Sequence, residues 1–134
     1  MIDLLLRNAR VRGEIVDLGV SGGVLVEPGP AAHTRDLDGR LVTPPLVEPH
    51  VHLDAALTVG QPRPNVSGSL FEGIAVWAQR VEDLTVDDVL ERARTVLRWQ
   101  LACGVQHVRS HVDVCDPQLR ALRARDNIRG RSSG

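Results

Sequence analysis

Two histidines separated by one residue, His50 and His52, are the side chains of this sequence best suited to chemistry. They follow the apolar pair Leu46-Val47, at what we predict to be the end of a β-strand. Residues i and i+2 of a strand point to the same side, so both imidazoles can reach one cation at about 2.0–2.1 Å, the usual Zn–N distance. Asp54 continues the same face and could orient an imidazole. The pattern predicts a metal site, although His-x-His pairs also occur in purely structural strands.

A second polar face is predicted on the segment Val105 to Val114, whose alternation is typical of a strand. His107, Arg109, His111 and Asp113 lie on one side of it. In a barrel this side would point inward, so His111 and Asp113 are candidates to support the metal site. The alternative is that the polar side chains of this face are ordinary hydrogen-bonded groups. We favour this alternative more strongly for His107 than for His111.

The first third of the chain must fold as short strands separated by glycine turns. An Asp38-Gly39 pair further along predicts a hairpin turn. The predicted strands are Asp3–Val11, Glu14–Gly19 and Gly23–Glu27, followed by Thr34–Leu37 and Arg40–Val42 around the hairpin turn.

After residue 45 the pattern changes to strands separated by helices. Thr85 offers an N-cap with Asp88 three residues on, and Gly104 a stop. Strands separated by helices indicate parallel pairing, as in a (β/α) barrel or an open doubly wound sheet. The predicted elements are a strand from Leu46, helices over Leu70–Arg80 and from Thr85 to Gly104, the strand Val105–Val114, a helix from Asp116-Pro117 to about Arg125, and a disordered tail from there.

The composition excludes several classes of protein. The 134 residues are 43% hydrophobic and 25% charged with a net charge of −1, which predicts a folded core and no nucleic-acid partner. Cys103 and Cys115 form no metal or redox motif and are expected to be reduced, small core residues. No run reaches the roughly 20 apolar residues of a membrane span, and no secretory signal is visible, so we expect a cytoplasmic protein without a membrane partner. Phosphate-loop, nucleophile-elbow and Pro-Cys-x-x-Cys deaminase motifs are absent.

The run Asp38 to Asp54, DGRLVTPPLVEPHVHLD, resembles the start of the barrel in the amidohydrolase superfamily. Its double proline and the Glu-Pro before His50 are similar to the cytosine deaminase branch. The likeness extends over residues 1 to about 124. Further similar stretches are Gly60–Pro62, Ser67–Ile74 with Trp77, and Gly104–Val114.

The resemblance implies one divalent metal, iron or zinc, held by His50 and His52 together with a later His and Asp. The metal would lower the pKa of a bound water and so produce a hydroxide that attacks the ring carbon bearing the amine. Leu70 matches a position that lines the base pocket, although an ordinary helix-face leucine is equally consistent. The resemblance also implies a (β/α)8 barrel preceded by a small β-sandwich-like leader.

Residues 1–45 would then be the leader and residues 46–134 the first two β/α units of the barrel, incomplete because a whole barrel needs roughly 250 residues. No residue of the chain matches the proton-shuttling Glu, so we expect no catalytic residue in it and little activity alone. The expected reaction is deamination of cytosine to uracil and ammonia.

Two alternatives stay open beside this interpretation. One is an amidohydrolase acting on an aminotriazine, isocytosine or creatinine-like ring; the other is an inactive remnant or a module that only binds a partner. The expected partner is a small nucleobase-like substrate, and self-association of a full-length form is left open.

Overall fold

The computed structural model describes residues 1–129, and the chain divides between Pro44 and Pro45 into two compact units. Within residues 1–129, no helix is long and apolar enough to cross a membrane. The described residues form a mixed α/β fold whose first part is rich in strands, as predicted. The elements are β1 (Ile2–Val11), β2 (Glu14–Ser21), β3 (Val24–Val26), β4 (Ala31–Asp36), β5 (Leu46–Val51), α1 (Leu70–Glu82), α2 (Val86–Ala102), β6 (Val105–Ser110) and α3 (Arg120–Arg129).

The first unit contains a four-stranded sheet with the strand order β3-β2-β1-β4. β1 and β2 form an antiparallel hairpin whose turn, Arg12-Gly13, has positive φ angles of 51° and 94°. β3 adds to β2 in antiparallel orientation, whereas β4 lies parallel to β1 on its other side. The three leader strands predicted from the glycine-punctuated pattern are therefore confirmed.

The predicted hairpin around Asp38-Gly39 is wrong, although the turn itself forms with φ angles of 51° and 70°. The segments on its two sides do not pair with each other. β4 precedes the turn and lies along β1, and Leu41 after the turn makes a parallel bridge to Arg10 of the same strand. The backbone N–H of Gly39 donates to the Asn8 carbonyl at 2.9 Å. The free edge of β1 offers backbone partners to both segments. A turn motif such as Asp-Gly contains no information about this distant strand, so it could not predict the pairing.

The second unit pairs β5 and β6 in parallel, as the alternation of strands and helices predicted. The helix signals are also confirmed: Thr85 accepts a hydrogen bond from the Asp88 backbone N–H at 3.1 Å, and Gly104 ends the segment with a φ of 85°. Ser69 caps α1 in the same way, accepting from the Glu72 N–H at 3.2 Å. The Thr85 cap joins residues three apart in sequence, which is why the pattern could reveal it, whereas the Ser69 cap was not predicted.

The third helix differs from its prediction at both ends. It begins at Arg120 because the Asp116 carboxylate binds the backbone N–H groups of Gln118 and Arg120 at 3.0 and 2.9 Å, and Leu119 adopts a φ of 50°. It continues to Arg129, so the tail predicted from residue 125 is helical over 125–129. The rest of that tail, 130–134, lies outside the described residues. β6 in turn ends at Ser110, four residues earlier than Val114.

The two cysteines are not the small core residues that the sequence suggested. Cys103 and Cys115 are exposed free thiols. Cys103 caps the end of α2, and Cys115 lies in the loop between β6 and α3, so neither side chain belongs to the buried face of an element.

Asp116 joins the start of α3 to the rest of the second unit. Its buried carboxylate binds the Arg120 guanidinium at 3.0 Å, and that guanidinium donates to the Leu84 carbonyl at 2.6 Å. The substitution Asp116→Asn is expected to lower the free energy of unfolding by about 1.5–3 kcal/mol at neutral pH, because it removes charge-assisted hydrogen bonds. Urea unfolding followed by circular dichroism measures it. An equal loss in Asp126→Asn, which changes an exposed carboxylate, would contradict the assignment.

The same contact gives the stability a dependence on acid. Hydrogen bonds from Arg120 lower the pKa of Asp116 from 3.8 to about 2. Since the pKa is depressed in the folded state, the ionised carboxylate stabilises the fold above about pH 4. This contribution is lost as the pH falls toward about 2, and Asp116→Asn should lack this part of the pH profile.

Candidate metal site

Three imidazoles converge where β5 and β6 end. His50 is the next-to-last residue of β5, His52 follows that strand, and His111 follows β6. The His111 backbone N–H donates to the Val51 carbonyl at 2.8 Å, so the parallel pairing itself brings His111 beside the His-x-His pair. The ring centroids lie 5.7 Å apart for His50 and His52, 3.9 Å for His50 and His111, and 5.8 Å for His52 and His111.

These separations indicate which pairs of rings are spaced to share an ion. Two imidazoles bound to one tetrahedral ion at the usual Zn–N distance have centroids about 5 Å apart. The pairs that contain His52 are close to this value. His50 and His111 instead stack at 3.9 Å with an interplanar angle of 24°, too close for both to bind the same ion in that geometry. His52 is therefore the ring common to both usable pairs.

Asp54 stands behind His52, at the position where the sequence placed a supporting carboxylate. It is 2% exposed, and its Oδ1 lies 3.4 Å from His52 Nδ1. Its Oδ2 accepts a hydrogen bond from the Asp113 backbone N–H at 2.7 Å. With the carboxylate on the Nδ1 side, the Nε2 of His52 faces away from it and is the nitrogen left for a ligand.

His111 is half-buried beside the pair, and its Nδ1 has no hydrogen-bond partner among residues 1–129. Burial lowers the pKa of His111, and the neighbouring charges of His50, Arg109 and His52 lower it further. The lowered pKa favours the neutral ring, the form in which imidazole binds metals.

Asp113 connects the site to α1. Its carboxylate accepts hydrogen bonds from the Trp77 indole N–H and, at 2.8 Å, from the Cys115 backbone N–H. These bonds, those of Cys115 first, lower the pKa of Asp113. Because the Asp113 backbone also binds Asp54, the contacts run without a break from the helix to the carboxylate behind His52.

Arg92 is the residue of this region that the sequence interpretation missed. In the sequence, Arg92 belongs to a charged helix face with Asp87, Asp88, Glu91, Arg94 and Arg98, where each pair is expected to contribute little. In the structure Arg92 is 8% exposed and binds the carbonyls of Asp54 and Ala56. One signal was available: Arg92 lies three residues after the buried Val89, on the apolar stripe of α2. A polar residue inside such a stripe needs a buried partner.

The remaining candidates lie elsewhere. Leu70 is on the first turn of α1 and is 75% exposed, so its assignment to a base pocket stays a prediction. His107 is exposed on β6.

The side chains present fit part of a metal site. His50 and His52 project from one strand end, and the buried Asp54 Oδ1, which has no hydrogen-bond partner within residues 1–129, is a free acceptor 3.4 Å from His52 Nδ1. Within residues 1–129, no group of three or more His, Cys, Asp or Glu side chains is placed to hold an ion alone. Among the described residues the candidate ligands His50 and His52 are therefore a pair rather than a full set. The roles of His50, His52, Asp54, His111 and Asp113 stay predictions.

The chain is similar to solved structures of deaminases and related hydrolases. A 5-methylcytosine deaminase from Klebsiella pneumoniae, liganded with 5-fluorocytosine, superposes with a TM-score of 0.86 and 40% identity, covering 96% of this chain and 33% of that one. An N-isopropylammelide isopropylaminohydrolase from Burkholderia multivorans gives a TM-score of 0.65 and 26% identity over 97% of this chain and 35% of that one.

A curated relative and a family model agree with these likenesses. An imidazolonepropionase from Deinococcus radiodurans is 30% identical over 111 residues, which are 78% of this chain and 24% of the relative. The chain thus spans between a quarter and about a third of the relatives that it matches. The model of the amidohydrolase family matches residues 33–133. This match covers most of the chain, which belongs to the amidohydrolase family.

Proposed function

We propose that this chain forms part of the active site of a metal-dependent amidohydrolase that removes the exocyclic amine from a cytosine-type ring, converting cytosine to uracil and ammonia. The observation that supports it most is the convergence of His50 and His52, with Asp54 behind His52, in a chain 40% identical to a 5-methylcytosine deaminase. Hydrolysis of a C–N bond is the chemistry common to the family match and these neighbours.

In this proposal His50 and His52 hold one divalent metal, as superfamily members use. Imidazole suits both iron and zinc, so both stay candidates. The metal, when bound, supplies an activated water for the hydrolysis. Asp54 orients His52 through Nδ1, and Asp113 holds Asp54 by its backbone N–H. Leu70 is assigned to the wall of the base pocket.

The proposal places the chain in a larger architecture. Residues 1–45 belong to a β-sandwich-like leader, and residues 46–134 form the first two units of a (β/α)8 barrel. The parallel pair β5–β6, connected through α1 and α2, supports this assignment because parallel strands joined by helices build such barrels. The other ligands and the proton-shuttling Glu are assigned to the part of the deaminase fold that the chain does not span.

A cytoplasmic location accompanies the proposal. The two cysteines are free thiols, which suits a reducing compartment. The proposed partner is a small nucleobase-like molecule.

A second candidate substrate is a substituted triazine ring. It is favoured by the likeness to N-isopropylammelide hydrolases, which match both as a solved structure and as a curated relative at 25% identity. The same metal chemistry serves either ring, so the pocket alone decides between them.

The test is an assay of a polypeptide that contains this chain and completes the barrel, supplied with iron or zinc, on cytosine, 5-methylcytosine and N-isopropylammelide. We expect ammonia and a uracil-type product from a cytosine ring, and none after His52→Ala. Turnover of N-isopropylammelide alone selects the second substrate, and no turnover of any ring rejects both. Residues 1–134 by themselves are expected to be inactive; turnover by them would contradict the placement of the missing ligands elsewhere.

A further inference from the structure

Arg92 holds the loop that follows His52. It lies on α2, is 8% exposed, and its Nη1 donates to the Asp54 carbonyl at 2.8 Å and to the Ala56 carbonyl at 2.6 Å. We propose that Arg92 is a positioning residue that fixes the Asp54 carboxylate beside His52 and thereby orients the imidazole that would hold the metal. The inference rests on the proposed function, because it assumes a metal at His52.

The guanidinium is itself fixed from the opposite side. Its Nε and Nη2 donate to Asp88 Oδ2 at 3.3 and 2.9 Å. Asp88 stands on the first turn of α2, where its backbone N–H is capped by Thr85. A planar group held at three nitrogens cannot rotate, so the two carbonyls of the loop are held at fixed points relative to α2.

The loop transmits this restraint to the imidazole over a very short distance. The backbone N–H groups of Ala55 and Ala56 donate to the His52 carbonyl at 3.2 and 3.0 Å, which closes a turn directly after His52. Arg92 therefore binds the carbonyls of residues inside that turn. A shift of the Asp54 backbone would move its carboxylate from its place 3.4 Å from His52 Nδ1.

Arg80 is a matched control for the contribution of burial and charge. It is 7% exposed and donates to the same Asp88 Oδ2 at 2.7 Å. Its hydrogen bond is to Asp88 rather than to the loop after His52. If both arginines served only stability, replacing either one would affect His52 equally. If Arg92 positions the loop, only its replacement should affect His52.

The experiment compares Arg92→Met with Arg80→Met in the 134-residue chain. Zn²⁺ titration measures affinity, and NMR of the imidazole nitrogens in metal-free protein reports the tautomer and environment of His52. We expect Arg92→Met to weaken Zn²⁺ binding by about 10–100-fold, the usual cost of losing a group that orients a ligand, and to shift the His52 signals. Arg80→Met should change affinity by less than about threefold and leave those signals in place.

Should Arg92→Met not fold, Arg92→Lys replaces it, because an ammonium can pair with Asp88 but cannot reproduce the fork that binds both carbonyls. Equal effects of the Arg92 and Arg80 variants, or unchanged His52 signals in both Arg92 variants, would overturn the inference. Failure of the wild-type chain to bind Zn²⁺ would instead show that His50 and His52 need the ligands assigned to the rest of the barrel. The metal-free His52 signals still decide the role of Arg92 in that case.

Discussion

Replacing His52 with alanine is expected to lower the Zn²⁺ affinity of the chain by about 100-fold or more, since losing a group that merely orients a ligand already costs about 10–100-fold. The reason lies in the ring separations. His52 belongs to both pairs with centroids 5.7 and 5.8 Å apart, whereas His50 and His111 stack at 3.9 Å. Without His52 the remaining two rings are stacked and would have to move apart to bind one tetrahedral ion together.

The comparison variants separate this effect from a general loss of histidine. His107→Ala removes an exposed imidazole of β6 and should leave the titration unchanged. His50→Ala should cost less than His52→Ala, because His52 and His111 are still suitably spaced. Isothermal titration with Zn²⁺ ranks the three. A His52→Ala chain that binds as tightly as the His107→Ala chain would remove the basis of the proposed metal site.

The largest expected loss of stability comes from Leu84→Ala, at about 2–5 kcal/mol in the free energy of unfolding. Leu84 is 2% exposed and packs in the buried cluster of the second unit with Val89, Leu90, Ala121 and Ala124. Truncation would leave a cavity where α2 and α3 meet, in addition to the lost burial of the side chain. Urea unfolding followed by circular dichroism measures the change.

Leu101→Ala is the matched control for Leu84→Ala. Leu101 is 61% exposed near the end of α2, so its truncation removes little buried surface and should cost less than about 0.5 kcal/mol. Similar losses in both variants would mean that the cluster around Leu84 is not the core of this unit.

Local signals made much of the fold predictable. The cap at Thr85 and the stop at Gly104 depend on residues a few positions apart, and the alternation of strands with helices indicated the parallel pair β5–β6. The same holds for the His50–His52 pair, because the two-residue period of a strand places both rings on one side. The end of α3 and the pairing of β4 were missed, since they depend on distant partners.

The candidate site shows where sequence patterns stop being sufficient. The chemistry of His50, His52 and Asp54 was visible because residue type and spacing alone suggest a metal site. Arg92 was mistaken for a surface charge because its partners, the carbonyls of Asp54 and Ala56, lie 38 and 36 residues away.

The sequence by itself thus indicated a candidate metal pair and the family, and it determined most of the helices and strands. Tertiary structure alone decided that His111 stacks on His50, that Asp113 holds Asp54 across 59 residues, and that Arg92 is buried. The physical reason is the sequence separation of the interacting residues. Periodicity and capping record interactions within one or two turns of chain, whereas a hydrogen bond between distant residues exists only after the strands and helices have packed.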